Sequence, residues 1–321
     1  MTLRVLVITH ANKEDNEISD PGIMDQIVEL QKMGATVDTW KVNIGQKCSY
    51  LKTGIRTFLL NFQKKRYDVV HAFYSLNGML ARGQFLSPLV VTLMGTDLLS
   101  KEHFYQQGGR DTLIGKIIIK VADEIIVQSE EMARVVPPSE KVAHIIPMGI
   151  NTDIFTLIPK DEARRRLNLP PDQKLILFPW HPARKEKQFP LLEKAVARLS
   201  PSYNARIMAI YGRPRQELAD YMNACDVLVL ASDYEGSPVA VREALACNLP
   251  VVSVPAGDVP SLLAKIEGCY LCNRDAEDMA EKITRVLEKG ERVNSRPLII
   301  PLNTVTSAAE VFKIYQSLNK Q

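Results

Sequence analysis

Several absences narrow the reading of this 321-residue chain before any motif is considered. No uninterrupted apolar run approaches the roughly 18 residues of a membrane span. The opening MTLRVLVITHANKED soon turns charged and polar, unlike a signal peptide. A cytoplasmic protein is the expectation, with room for peripheral contact at the inner face of a membrane. Five cysteines are too few for a disulfide framework in a chain of this length. Cys269 and Cys272 form a lone CxxC without the second pair that zinc needs, so a thiol pair at a strand end is expected. The net charge of +3 is too small to imply a nucleic-acid partner. The first strand, followed by THANKEDNEISDPG, lacks the G-x-G-x-x-G of a dinucleotide-binding dehydrogenase. An Asp-x-Asp pair is also missing, so a divalent metal is not indicated, and no cofactor is expected.

What is present is alternation. Apolar strands are expected at Leu3 to Thr9, Thr36 to Val42, Asp68 to Phe73, Leu89 to Met94, Glu124 to Gln128 and Val142 to Met148, with helical stretches between them. The pattern recurs at Lys174 to Pro179, Arg206 to Tyr211, Asp226 to Leu230, Val251 to Val254 and Cys269 to Leu271. Strands alternating with helices imply parallel sheets covered on both faces. A hydrophobic content of 46% with 24% charged residues suits a soluble globular chain, and this length suits two α/β domains. The Pro147 and Gly149 of IPMGINTDIF punctuate a boundary. Domains are therefore expected over 1–152 and 153–302, with 303–321 as a closing helix striped by Ala308, Val311, Ile314, Tyr315 and Leu318.

Between Asp38 and Asp68 there is no acid, yet Lys41, Lys47, Lys52, Arg56, Lys64, Lys65 and Arg66 occur. Leu51, Ile55, Phe58, Leu59 and Phe62 repeat there at helical spacing. Such a helix can lie on an anionic membrane surface. The preferred expectation is the other one, an outer helix packing this apolar face inward.

The densest motif is DVLVLASDYEGSPVAVREALACNLPVVSVPAG, residues 226–257. A buried strand ends in an acidic turn, Ser237 and Pro238 read as N-cap and first helical position, and a second strand follows. Glu235 then sits at a strand's carboxyl end, Glu243 about a turn and a half into the helix, and the helix's first amides form an anion site.

EGSPVAVREA resembles the E-x7-E signature of retaining GT-B glycosyltransferases of family 4, the glycosyl transferases group 1. The resemblance implies two Rossmann-like domains facing each other across a cleft. It also implies transfer of a sugar from a nucleotide diphosphate donor, UDP-linked by expectation, to a hydroxyl acceptor in cell-surface polysaccharide or glycolipid synthesis. Glu235 would lie by the donor sugar and Glu243 would hold the ribose. Ser237, Pro238 and Val239 would lie along the diphosphate, with Pro238 lacking the N–H that a glycine would supply there. FPWHPARKEKQFPLL resembles a diphosphate-binding loop with Arg184 and Lys187 as its cations, fixed charges for a leaving group that gains negative charge. Tyr211 to Arg213 fall where relatives hold the base. On the acceptor or sugar side, the resemblance singles out His71 and the MGTDLL element with Met94, Gly95 and Asp97. Met94 stands where relatives have a histidine. Gly22, after Asp20 and Pro21, takes the place of a glycine pair near the donor phosphates. Arg242 is expected to serve a structural end. The alternatives are an epimerase or phosphorylase on the same fold, and a non-catalytic homologue that binds a nucleotide sugar or a partner glycosyltransferase. Met94 and Pro238 are the features that keep that last one open.

Overall fold

In the first strand, RVLVITHA, Val5, Leu6, Val7 and Ile8 are all buried, so the strand is covered on both faces as parallel sheets require. The computed structural model describes residues 2–12, 17–64, 66–95, 98, 110–136 and 142–319. Lys65 and Asp97 lie outside them. The chain divides into two compact units, Met1–Gly149 with Thr304–Gln321, and Ile150–Asn303.

In unit 1, β1 (Arg4–Ala11), β2 (Thr36–Asn43), β3 (Val69–Phe73), β4 (Leu89–Thr92), β5 (Glu124–Val127) and β6 (His144–Ile145) form one parallel sheet in the order β2-β1-β3-β4-β5-β6. In unit 2, β7 (Lys174–Phe178), β8 (Ala205–Ala209), β9 (Val227–Leu230), β10 (Val251–Ser253) and β11 (Tyr270–Leu271) form a second, ordered β11-β10-β9-β7-β8. Both sheets share one winding. The second strand lies outside the first, and the order reverses between the first and third strands, at β1/β3 and at β7/β9. Ligands in such sheets bind outside the carboxyl ends of the strands at this reversal.

The helix Thr304–Leu318 belongs to unit 1. It buries Ala308, Val311, Ile314 and Tyr315, and Ser307 Oγ donates to Pro147 O at 2.9 Å. One helix was not expected from the sequence, Ser75–Ala81 between β3 and β4. It is seven residues long and contains serine, asparagine and glycine, all poor helix formers. Gly78 is needed there, because a Cβ would come within 2.8 Å of Ile118 Cγ1.

That short helix explains a correction. The basic helix, Lys47–Leu59, does not pack its apolar stripe inward: Leu51, Ile55, Phe58, Leu59 and Phe62 are exposed. The buried residues of the helix are Thr53 and Thr57. Thr57 Oγ1 lies 2.8 Å from Gly54 O and 2.7 Å from Leu80 O. A Cβ on Gly83 would meet that hydroxyl at 2.9 Å. Only small side chains permit so close an approach, and the large apolar ones are left on the opposite face.

Candidate active site

The β7/β9 reversal brings two loops together. After β9, residues 231–238 carry Glu235; after β7, residues 179–188 carry Arg184 and Lys187. Gln188, at φ +52°, turns the chain from the single helical turn Lys185–Lys187 into the helix Phe189–Val196. This turn aims Lys187 at Glu235, with Nζ 2.5 Å from Oε1. The side chains are only 7% and 13% exposed, and Nζ lies 4.9 Å from the Trp180 ring centroid. Arg184, 53% exposed, pairs outward with Glu186 at 2.7 Å. The expected basic pair is thus one buried cation and one at the rim.

The two loops are tied together. Asp233 N–H donates to Glu186 O at 2.9 Å, and Gln188 Nε2 to Asp233 Oδ2 at 2.9 Å. The Arg274 guanidinium reaches Ser232 O at 2.5 Å and Asp233 O at 2.8 Å. Arg274 drew no notice in the sequence, where nothing in CNRDAE separates it from a surface arginine.

The helix begins at Val239, one residue later than expected, with Pro238 in the N-cap place. Ser237 does not cap it. Its Oγ donates instead to Asp258 Oδ2 at 2.5 Å, and Arg242, fully buried, donates to the same oxygen at 2.9 Å. Burial works to lower the Arg242 pKa and the Asp258 charge works against it. The helix N-terminus has no side-chain cap, and an uncapped terminus is the kind of place where an anion can be held. Gly257, at φ +57°, closes the loop. A Cβ there would lie 2.6 Å from Gly236 O and 2.9 Å from Glu235 O. The glycine in VPAGD was the available signal for this approach.

Glu243 is buried and takes Arg215 NH2 at 3.0 Å; the Arg215 guanidinium lies 5.3 Å from the Phe155 ring centroid. A cavity of about 310 Å³ is lined by Trp180, His181, Arg184, Tyr211, Gly212 and Arg213, with the His181 and Tyr211 ring centroids 4.3 Å apart. This cavity lies beyond the carboxyl ends of β7 and β8, and its aromatic walls suit a flat ring.

Unit 1 places the remaining residues differently. His71 is fully buried in β3, with Nδ1 2.5 Å from Tyr315 OH and Nε2 2.8 Å from Thr92 Oγ1, so both ring nitrogens are engaged. Burial pushes its pKa down to about 3. Gly22 lies in the first turn of the helix Pro21–Lys32, where its N–H donates to the capping Asp20 carboxylate at 2.9 Å. The Met94 sulfur accepts from Gln128 Nε2 at 2.8 Å, and Gly95 is half-buried. At the β1/β3 reversal stand two residues not singled out in the sequence. His10 stacks on Tyr74 with centroids 4.4 Å apart, and burial lowers the His10 pKa to about 4. His10 Nε2 is buried and has no hydrogen-bond partner among the described residues. Tyr74 is held at φ +71°, ψ 146°, a region open mainly to glycine.

Comparison with known proteins adds the chemical class. Residues 182–289 match the family model described as Glycosyl transferases group 1. The chain is 25% identical over 292 residues to the D-inositol 3-phosphate glycosyltransferase of Streptosporangium roseum, covering 76% of this chain and 67% of that protein. It is 29% identical over 244 residues to the putative teichuronic acid biosynthesis glycosyltransferase TuaC of Bacillus subtilis, covering 68% and 61%. Among solved structures it resembles sucrose-phosphate synthase from Thermosynechococcus elongatus, at a TM-score of 0.79 and 20% identity over 98% of this chain and 99% of that one. It also resembles Anabaena HepE in complex with UDP-glucose, at a TM-score of 0.74 and 16% identity over 98% and 100%. The chain therefore has the GT-B fold, two parallel-sheet Rossmann-like units, and its residues 182–289 carry a segment that matches the glycosyl transferases group 1.

Proposed function

We propose that this chain is a retaining, metal-independent hexosyltransferase that moves a sugar from a nucleoside diphosphate donor, UDP by preference, to a hydroxyl of a carbohydrate or lipid-linked acceptor in polysaccharide or glycolipid synthesis. One observation carries the reading. The buried Lys187–Glu235 pair stands at the sheet reversal, Glu235 in the loop that leads into an uncapped helix whose Glu243 pairs with Arg215.

In this reading the base lies in the cavity lined by Trp180 and Tyr211, and the Glu243 carboxylate accepts hydrogen bonds from the ribose hydroxyls. The diphosphate meets the Val239 and Ala240 amides, with Lys187 and Arg184 as its cations. As the bond from the anomeric carbon to the phosphate oxygen breaks, that oxygen gains charge, and a fixed cation in a dry site stabilises it more than water would. The acceptor oxygen bonds to the anomeric carbon on the same face, and its proton passes to the leaving phosphate. Glu235 orients sugar hydroxyls and forms no covalent bond. Unit 1 takes the acceptor. His71 has both nitrogens occupied, so His10 and Tyr74 at the β1/β3 reversal are the better candidates for contact.

The test is a thermal-shift and product screen with UDP, GDP and ADP sugars on wild type, Glu243→Ala and Arg184→Ala. Binding to the native state alone raises apparent stability by mass action. One nucleotide should stabilise wild type, both substitutions should weaken the shift, and the product should keep the donor's anomeric configuration. An inverted product would remove the retaining assignment. A shift without transfer to any acceptor would favour the non-catalytic alternative, which the thioether of Met94 supports. No shift at all would end the donor-site reading.

A further inference from the structure

The exposed stripe of the Lys47–Leu59 helix is a feature of unit 1 that the transfer chemistry leaves unused. Leu51 is 66% exposed, Phe58 53% and Phe62 74%. The stripe does not stand alone. The Phe58 and Phe62 rings lie 5.4 Å apart edge to face. Asn61 joins the helix end to the next loop, its Nδ2 donating to Gly83 O and its Oδ1 accepting from Phe85 N–H, each at 2.8 Å. Phe85 is held beside the stripe by this clamp and is itself exposed. Three phenylalanines, two leucines and an isoleucine thus form an apolar surface whose backbone is anchored from behind by Thr57. Monomeric proteins seldom leave so many large apolar side chains exposed on neighbouring elements without a partner.

The charge around the surface selects the partner. From residue 39 to residue 67 the chain has no carboxylate, and Lys47, Lys52 and Lys64 are exposed. We infer that this face docks unit 1 on an anionic lipid surface, with Phe58, Phe62 and Phe85 entering the headgroup and acyl boundary while the lysines meet lipid phosphates. Apolar burial and lysine attraction are both needed, because either one alone gives only marginal binding. Among the described residues, no helix is long and apolar enough to cross a membrane, so the contact is peripheral. The inference stands apart from the proposed donor residues Arg184, Lys187, Glu235 and Glu243, all of which belong to unit 2.

Cys48 provides a direct readout. It is exposed, and it precedes Leu51 and Ile55 at helical spacing on the same stripe. The other four cysteines are buried, with thiols pushed up to about 11 or 12 by burial, so a maleimide dye should label Cys48 alone. An environment-sensitive dye at Cys48 should shift to the blue with vesicles containing about one third phosphatidylglycerol, and not with phosphatidylcholine alone. In co-sedimentation, Lys47→Gln with Lys52→Gln and Lys64→Gln should lower partitioning roughly a hundredfold, about fivefold per lysine. Phe58→Ser with Phe62→Ser should lower it at least tenfold with every charge kept. All five positions are exposed, so the nucleotide-induced thermal shift should be unchanged in both variants. That separates failure of docking from failure of the donor site. No dye shift with anionic vesicles, equal binding to neutral ones, unchanged partitioning of the variants, or concentration-dependent dimerisation through the face in place of vesicle binding would each overturn the inference.

Discussion

The two units wind their sheets in the same order, yet they fill the point of reversal with opposite chemistry. At β7/β9 stands an ion pair, Lys187 with Glu235, and near it Arg215 with Glu243. At β1/β3 stands an aromatic stack, His10 on Tyr74, with His10 and the neighbouring His71 both pushed toward the neutral form by burial. One topology therefore offers two kinds of crevice. Charge placed in advance suits an anionic leaving group, whereas an uncharged aromatic wall suits a ring of hydroxyls and C–H groups. If this contrast is the basis of function, damage at the first crevice should appear in donor chemistry, and damage at the second in acceptor use and acid stability.

The largest effect is expected from Lys187→Ala. Removing one fixed donor to a developing anion typically costs 100- to 1,000-fold in turnover, about 3 to 4 kcal/mol. The fall in kcat with donor at saturation is the measurement. Arg184→Ala should cost less, because Arg184 stands at the rim and already faces Glu186. Equal losses would mean that the buried and rim cations are interchangeable and would break the distinction between them.

Gly257→Ala comes next. A Cβ 2.6 Å from the Gly236 carbonyl oxygen cannot be accommodated unless the Glu235 loop moves, and φ +57° adds strain. A loss of about 2 to 4 kcal/mol is expected for an overlap with rigid backbone, read as the urea midpoint of unit 2. A variant as stable as wild type, with donor affinity intact, would show that the loop is softer than the tied carbonyls of Ser232 and Asp233 suggest.

The legibility of the molecule in its sequence divides along the same line. Strands buried on both faces announce themselves by composition, and the alternation indicated both sheets. Glu235, Glu243 and Lys187 stand in one contiguous or well-spaced motif each, so local pattern sufficed to single them out. Arg215, Arg274 and Gly257 act across gaps of 21 to 42 residues. No local period marks such contacts. Ser75–Ala81 escaped because its propensity is poor, and without it the basic helix lacked the neighbour that decides which face is buried. His71 is the converse case. A histidine in a strand carries no local sign of its partners, and here Tyr315, 244 residues away, occupies its Nδ1.

Acid should separate the units more gently. A histidine whose folded pKa lies below its unfolded value of about 6.5 contributes stability that is fully present above that pH and lost as pH falls toward the folded pKa. For His71 the window runs from about 6.5 down to about 3, and for His10 down to about 4. Unit 1 should therefore lose stability on acidification at up to about 1.4 kcal/mol per pH unit for each histidine. Trp40 and Trp180 are the two tryptophans, one in each unit, so Trp180→Phe leaves Trp40 to report on unit 1 alone. In that background the urea midpoint should fall between pH 6.5 and 5, and His71→Gln should flatten the slope by about half. A flat profile in the parent would mean that neither ring is held neutral.

The smallest expected change in stability is also the sharpest test of the aromatic crevice. Tyr74 holds a positive φ with extended ψ, at a cost of order 1 to 3 kcal/mol for a residue other than glycine. Tyr74→Gly removes that strain. It also removes the stack on His10, about 0.5 to 1.5 kcal/mol, and adds the greater chain entropy of glycine, up to about 1 kcal/mol. The terms offset, so the unit 1 midpoint should stay within about 1 kcal/mol of its parent. Acceptor use should not stay: kcat/KM for acceptor should fall about tenfold or more while the nucleotide-induced shift in unit 2 is untouched. Were Tyr74→Gly more stable than wild type by the full strain energy with acceptor kinetics unchanged, the strained tyrosine would have no part in acceptor recognition. The His10–Tyr74 stack would then be packing, and the contrast between the two crevices would shrink to a charged site beside an inert one.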